Sequence, residues 1–147
     1  MRRPIERPEL SEAKRQGFHN IGAAARASGV SAKMIRHYES LGLLPAARRT
    51  FAGYRVYADA DLHKLRFIKR SRGLGFSMNQ IGELMGLWNN RQRASREVKQ
   101  LVREHVQELL RKIEEMQAMQ RTLESLAARC SGDHRPDCPI LDDLEGR

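Results

Sequence analysis

Apolar positions along this chain recur with more than one period. Residues 95–128 contain no Gly or Pro, and Val102, Val106, Leu109, Ile113, Met116, Gln120, Leu123 and Ala127 follow one another at alternating steps of four and three. That is a heptad seam with one polar position, Gln120, on a helix about 50 Å long at roughly 1.5 Å per residue. A narrow stripe on so long a helix needs a partner. The chain offers no second long helix, so the pattern predicts pairing with another copy. The alternative is packing on the chain's own N-terminal part, which is too short to cover the stripe.

The first half reads in shorter pieces. Residues 19–27 predict a helix with Ile21, Ala24 and Ala25 facing inward, closed by a turn at Ser28-Gly29-Val30. Ser31 caps the next helix, residues 32–40, and Gly42 ends it by taking the left-handed conformation. Helix, glycine turn, helix is the helix-turn-helix arrangement. Residues 48–57 place a turn glycine before aromatic and β-branched residues, which predicts a short hairpin, or wing, carrying Arg and Tyr. Asp59 or Asp61 then caps a helix through Leu62, Leu65 and Ile68 that breaks at Gly73 and Gly75. Ser77 caps another, with Ile81, Leu84 and Met85 on its apolar face, and Asn89-Asn90 interrupts the chain before the long helix. After that helix, Gly132, Pro136 and Pro139 specify a loop, and Ile140, Leu141 and Leu144 form a short turn that packs back. Met1 to Gly17, with two prolines and mixed charge, read as a flexible tail, and order is expected to begin near Phe18.

Composition adds a direction to this picture. The chain has 147 residues, 40% hydrophobic and 31% charged, with a formal net charge of +9. Residues 1–75 carry 16 Lys/Arg against 6 Asp/Glu, a net of +10, whereas residues 76–147 carry 11 against 12, a net of −1. A basic half beside a neutral one points to an anionic partner on the basic half, with nucleic acid foremost. The N-terminus of the helix over 32–40 carries Ser31, Lys33 and Arg36, residue types that reach guanine edges or phosphates from the major groove. A solvated basic face with tyrosines in the core, Tyr38 and Tyr57 among them, is the plainer alternative. No stretch approaches the roughly 18 apolar residues of a membrane helix. The charged N-terminus lacks the apolar core of a secretory signal, so a cytoplasmic, membrane-free protein is expected.

Two cysteines remain, Cys130 and Cys138, with seven residues between them. In a reducing compartment such a pair is more often a metal or redox site than a structural disulfide. Thiolates are soft donors suited to a soft monovalent ion such as Cu(I). Zn(II) usually takes four ligands, and this loop offers two sulfurs and His134. Two packing cysteines, or a redox disulfide, are the alternatives. Asp133 and Asp137 read as turn formers and Ser95 as a helix N-cap, with Glu97 in the first turn suiting the positive helix end. No phosphate-cradling glycine loop, paired-carboxylate cleft or nucleophile elbow is present, so an enzyme is not expected.

Taken together, Ile21-Gly22, Ala25, Gly29-Val30-Ser31, Ile35-Arg36-His37-Tyr38-Glu39, Gly42-Leu43-Leu44 and Gly53-Tyr54-Arg55-Val56-Tyr57 resemble the N-terminal signature of the MerR family of transcription regulators. The resemblance runs over residues 19–144. The cysteine spacing, with Pro-Ile after Cys138, is similar to the copper-efflux-regulator (CueR-like) branch. It implies an all-α fold with a small β wing: a flexible tail (1–18), a winged helix-turn-helix DNA-binding domain (19–88), a long antiparallel coiled-coil dimerisation helix (89–128), and a metal-binding loop and tail (129–147). It implies DNA contacts for Lys33, Arg36, Tyr38, Arg49, Tyr54, Arg55 and Tyr57, and metal binding by Cys130 and Cys138. Sensors of divalent ions in the family place a third Cys where Ser95 stands, so Ser95 is implied as a metal-selectivity position above the partner's loop. His37 replaces a usual Tyr or Phe, which is expected to alter core packing or promoter affinity. The implied function is a homodimeric activator that senses Cu(I), or Ag(I) or Au(I). It distorts promoter double-stranded DNA so that RNA polymerase transcribes efflux or detoxification genes. The alternatives are a sensor of another thiophilic ion (Au, Hg, Zn) or of oxidants on the same fold, a constitutive architectural DNA-binding protein, or a metal chaperone or store.

Overall fold

The computed structural model describes residues 8–146. Their elements run α1 (Leu10–Arg15), β1 (His19–Asn20), α2 (Ile21–Ser28), α3 (Ala32–Ser40), β2 (Arg48–Arg49), β3 (Arg55–Tyr57), α4 (Asp59–Gly73), α5 (Met78–Asn89), α6 (Ser95–Arg129) and α7 (Pro139–Glu145). The chain divides into two units, Met1–Arg93 and Ala94–Arg147. The fold is mostly helical with one small three-stranded sheet.

In the first unit, α2 packs on α3 and α4, and α4 on α5. Their inward positions, Ala24, Ile35, Leu62, Leu65, Ile68, Ile81, Leu84 and Met85, are buried with Val56 and Tyr57 of the sheet. Removing such surface from water is the main force holding a core this small. Phe67 of α4 stacks on Trp88 of α5, ring centroids 4.6 Å apart.

Local chemistry sets the helix ends. Asn20 caps α2 by accepting from Ala23 N at 2.8 Å, so α2 starts at Ile21 and His19–Asn20 is strand instead of first turn. Ser31 caps α3 by accepting from Met34 N at 3.2 Å. At its far end Gly42, with φ +77°, lets Leu43 N donate to Tyr38 O and Gly42 N to Glu39 O. That pair of bonds is the Schellman closure that satisfies the last carbonyls of a helix. Ser77 and Gln80 cap α5 reciprocally: Gln80 N donates to the Ser77 hydroxyl and Ser77 N to Gln80 Oε1. At α4 the acceptor is Asp61, which takes the Ala58 N–H at 3.0 Å, while Asp59 instead meets His19 Nε2 at 2.8 Å.

The sheet has the order β1-β3-β2, antiparallel throughout. The hairpin between β2 and β3 matches the expected wing; β1 adds a third strand through His19 and Asn20. Upstream, the tail assigned to residues 1–18 is structured over 10–15, where α1 buries Ala13 completely. Residues 1–7 lie outside the described residues.

The second unit is α6, a loop, and α7. Uninterrupted helix formers carry α6 through 35 residues, about 52 Å at ~1.5 Å per residue. Its first helical residue is Ser95, and its N-cap is Ala94, which makes no side-chain cap bond. Ser95 is therefore inside the first turn and is not the cap. Glu97 does lie in that first turn. Val102, Val106, Ile113, Met116 and Leu123 remain 40–67% exposed, so the apolar seam is uncovered within one chain. Near the other end, Leu126 is buried where α7 packs back on α6. The expected short turn is thus a seven-residue helix, started by Pro139, whose ring suits a first helical position.

Candidate DNA-binding face and cysteine loop

The residues expected to meet DNA lie on α3 and on the hairpin of β2 and β3. Ser31 is exposed at the N-terminus of α3, with Lys33 and Arg36 exposed on the helix itself. His37 is exposed beside them, so the histidine does not enter the core and alters no packing there. On the wing, Arg48 and Arg49 are exposed and Tyr54 is 61% exposed. Thr50, fully buried, closes the hairpin: its N–H donates to Tyr54 O at 2.9 Å and its hydroxyl accepts from Tyr54 N at 3.1 Å. Arg49 Nη1 donates to Gly53 O at 2.9 Å, which holds its stem along the turn.

Tyr38 and Tyr57, named among the DNA contacts by resemblance, are both buried, as the alternative of core tyrosines expects. Burying two aromatic rings removes a large apolar surface from water. Tyr57 keeps a polar partner by donating to Glu39 Oε2 at 3.4 Å. Burial, then the Glu39 charge, push its hydroxyl pKa up from 10.0 to about 12.

Glu39 falls within the signature segment over residues 35–39, but nothing in the sequence marks what its carboxylate does. Its Oε1 accepts from Ala47 N at 3.0 Å, and its Oε2 lies 3.5 Å from Arg55 Nε as well as facing Tyr57. One carboxylate therefore ties α3 to the segment leading into β2, to the half-buried Arg55 and to Tyr57 of β3. Its partners lie 8, 16 and 18 residues away, too far for any local pattern to reveal them. Arg66 plays a similar part, donating from Nε and Nη2 to Ala27 O at the end of α2.

In the second unit, Cys130 is the residue that ends α6 and Cys138 the residue that precedes α7. Both thiols are free and half-buried. The loop between them is organised by Asp133. It accepts from Arg135 Nη2 at 2.6 Å, Nε at 2.8 Å and N at 2.9 Å, and from the Ser131 hydroxyl at 3.2 Å. The Arg135 hydrogen bonds hold its carboxyl below the ordinary carboxylate range. Asp133 is thus a turn former already engaged, and His134 is exposed. Among the described residues no group of three or more His, Cys, Asp or Glu is placed to hold one ion. The soft donors in this loop are the two cysteine sulfurs, beside the exposed His134. No helix of the described residues is long and apolar enough to cross a membrane.

Comparison with known proteins accounts for both units. The model of the MerR family regulatory protein matches residues 20–57, and that of MerR, DNA binding, matches residues 62–126. Heavy metal-dependent transcription regulator 2 of Rhizobium meliloti is 55% identical over 85% of this chain and 85% of its own length. The HTH-type transcriptional regulator CueR of Escherichia coli O157:H7 is 41% identical over 86% of this chain and 94% of its own. Among solved structures, the transcription regulator PbrR691 from Ralstonia metallidurans CH34, in complex with lead(II), superposes with a TM-score of 0.74 at 30% identity. That match covers 86% of this chain and 98% of PbrR691. MerR regulators bind promoter DNA as homodimers and act with RNA polymerase; they are not enzymes. The uncovered seam of α6 is what a homodimer of this kind requires, and on all of these grounds the chain belongs to the MerR family of DNA-binding transcription regulators.

Proposed function

We propose that this metal-responsive MerR-family regulator senses a soft monovalent ion, Cu(I) with Ag(I) or Au(I) as its chemical equivalents, through Cys130 and Cys138. In this reading it switches on efflux or detoxification genes in the cytoplasm. The observation that carries the reading is the bracket of two free, half-buried cysteines around a loop in which the Asp133 carboxylate is committed to Arg135. Two thiolates without further donors fit a soft ion that accepts two ligands and fall short of the four that Zn(II) prefers. Ser95 in place of a third thiol at the start of α6 favours the same choice. Relatives named as heavy metal-dependent regulators and as CueR support metal sensing and leave copper as the specific proposal.

On the DNA side, Ser31, Lys33, Arg36, Arg49, Tyr54 and Arg55 contact the promoter, the first three from α3 and the others from the wing. Tyr38 and Tyr57 act from the core by holding those elements in place. Cys130 and Cys138 would hold the ion, which would supply a cross-link between the end of α6 and the start of α7. The loop and α7 then hold one arrangement against α6, and the dimer shifts toward the form that distorts promoter DNA. Such a shift is limited by the difference in ion affinity between the two forms.

The test is an anaerobic Cu(I) titration of the reduced dimer against a competing chelator, with Cys138→Ser alongside. One ion per loop, absent from the variant, is expected. Failure to compete with the chelator removes the copper reading. In transcription assays, Cys130→Ser should bind the promoter and ignore the metal; full metal-dependent transcription by that variant would end the proposal.

A further inference from the structure

Family likeness begins at residue 20, yet the chain before it is built onto the wing. Pro8 O accepts from Phe51 N, the amide at the wing's turn, at 2.9 Å. Ala13 of α1 is fully buried, and its carbonyl accepts from Phe18 N at 2.9 Å. Phe18 in turn lies under Arg48 of β2, guanidinium to ring centroid 5.4 Å. Glu12 of α1 and Gln16 just after the helix line one groove together with Arg48, Arg49 and Phe51. The backbone bond, the cation–π pair and the groove converge on β2 and the turn after it, while α1 itself packs on β1.

We propose that residues 8–18 are a brace for the wing, a positioning segment that sets affinity for the operator without touching DNA. The reason lies in the size of the wing. β2 has two residues and β3 three, and a hairpin that short is not stable by its own ladder. A wing that wanders meets DNA only in the fraction of time it holds the right shape, and apparent affinity falls by that fraction. The bond at Phe51 and the seat of Arg48 on Phe18 keep that fraction high. The brace rests on the reading, proposed for this chain, that the wing meets DNA.

The experiment uses the full-length dimer and measures operator Kd as a function of salt, together with amide exchange at Phe51. Ala13→Asp puts a charge into the anchor of α1 and should weaken binding about tenfold and speed exchange at Phe51. It should leave the slope of log Kd against log salt unchanged, since every phosphate keeps its partner. Ala13→Ser, small enough for the same place, should restore both affinity and exchange. Phe18→Leu keeps an apolar side chain in place and removes only the ring beneath Arg48. It should weaken binding about threefold, and it decides the matter should Ala13→Asp not fold. Unchanged affinity in both Ala13→Asp and Phe18→Leu would overturn the brace, as would weaker binding with unchanged exchange at Phe51. A reduced salt slope would also overturn it, by making the segment bind DNA in its own right. Arg49→Ala separates the premise from the inference: it should lower both affinity and slope, and if it lowers neither, the wing does not meet DNA and the premise itself fails.

Discussion

Glu39 shows how one side chain joins parts of the chain that share no local signal. Its two oxygens serve Ala47 N, Arg55 and the Tyr57 hydroxyl. No periodicity or spacing announces such a group, because the partners meet only after the wing folds against α3. Tyr38 and Tyr57 are illegible for a related reason. A tyrosine looks alike in sequence whether its ring is core or its hydroxyl reaches a ligand, and burial decides. Tyr57 carries a testable consequence. Its folded pKa of about 12 exceeds the ordinary 10.0, so the folded state keeps a proton that the unfolded state gives up. The contribution is fully present below 10.0 and is lost as pH rises toward about 12. Denaturant titrations across that window should show stability falling with pH, and Tyr57→Phe should flatten the fall. In neutral solution the same substitution should cost about 1 kcal/mol or less, the worth of one long hydrogen bond.

At the scale of elements, what is legible in sequence is what is decided locally. Ser31, Gly42 and the apolar residues between them specify α3 over Ala32–Ser40 by caps and period alone, and the structure has those bounds. Ser31→Ala should lower stability by about 1 kcal/mol through removal of the cap, read as a lower midpoint in thermal unfolding. Elements decided by distant partners are not legible. The six residues of α1 are too few to be helical on their own, and their anchor is a single alanine. Strand β1 is two residues that find β3 nearly forty positions later. The start of α6 illustrates a third case: Ser95 has the right chemistry for a cap, yet Ala94 holds that position, because the helix starts one residue earlier than the best capping residue would place it. The long stripe of α6 is plain from its period. Its exposure in one chain predicts that Ile113→Lys together with Met116→Lys converts the dimer to monomers in sedimentation and abolishes operator binding, since two charges cannot be buried in an apolar seam without a large penalty.

For the whole molecule, charge is divided as function is. A net of +10 lies on residues 1–75 and −1 on residues 76–147, so the field that attracts DNA comes from the unit that reads it. Lys33→Ala should weaken operator binding across sequences and lower the salt slope by about 2 for the dimer, roughly 0.9 for each phosphate no longer neutralised. The cysteine loop is legible as chemistry, from residue type and spacing. Its placement is not, because Cys130 and Cys138 are boundary residues of two helices, and the second helix forms only by packing on the first. The length of α6 has one more consequence. A helix of 35 residues spans about 52 Å, so the selectivity role proposed for Ser95 concerns the partner's cysteine loop and not the loop of its own chain. Faults in the two places then obey a rule of complementation. In a mixed dimer of one Cys130→Ser chain and one Ser95→Cys chain, both faults fall on the same sensor and the other is whole; in a dimer whose two chains each carry both substitutions, neither sensor survives.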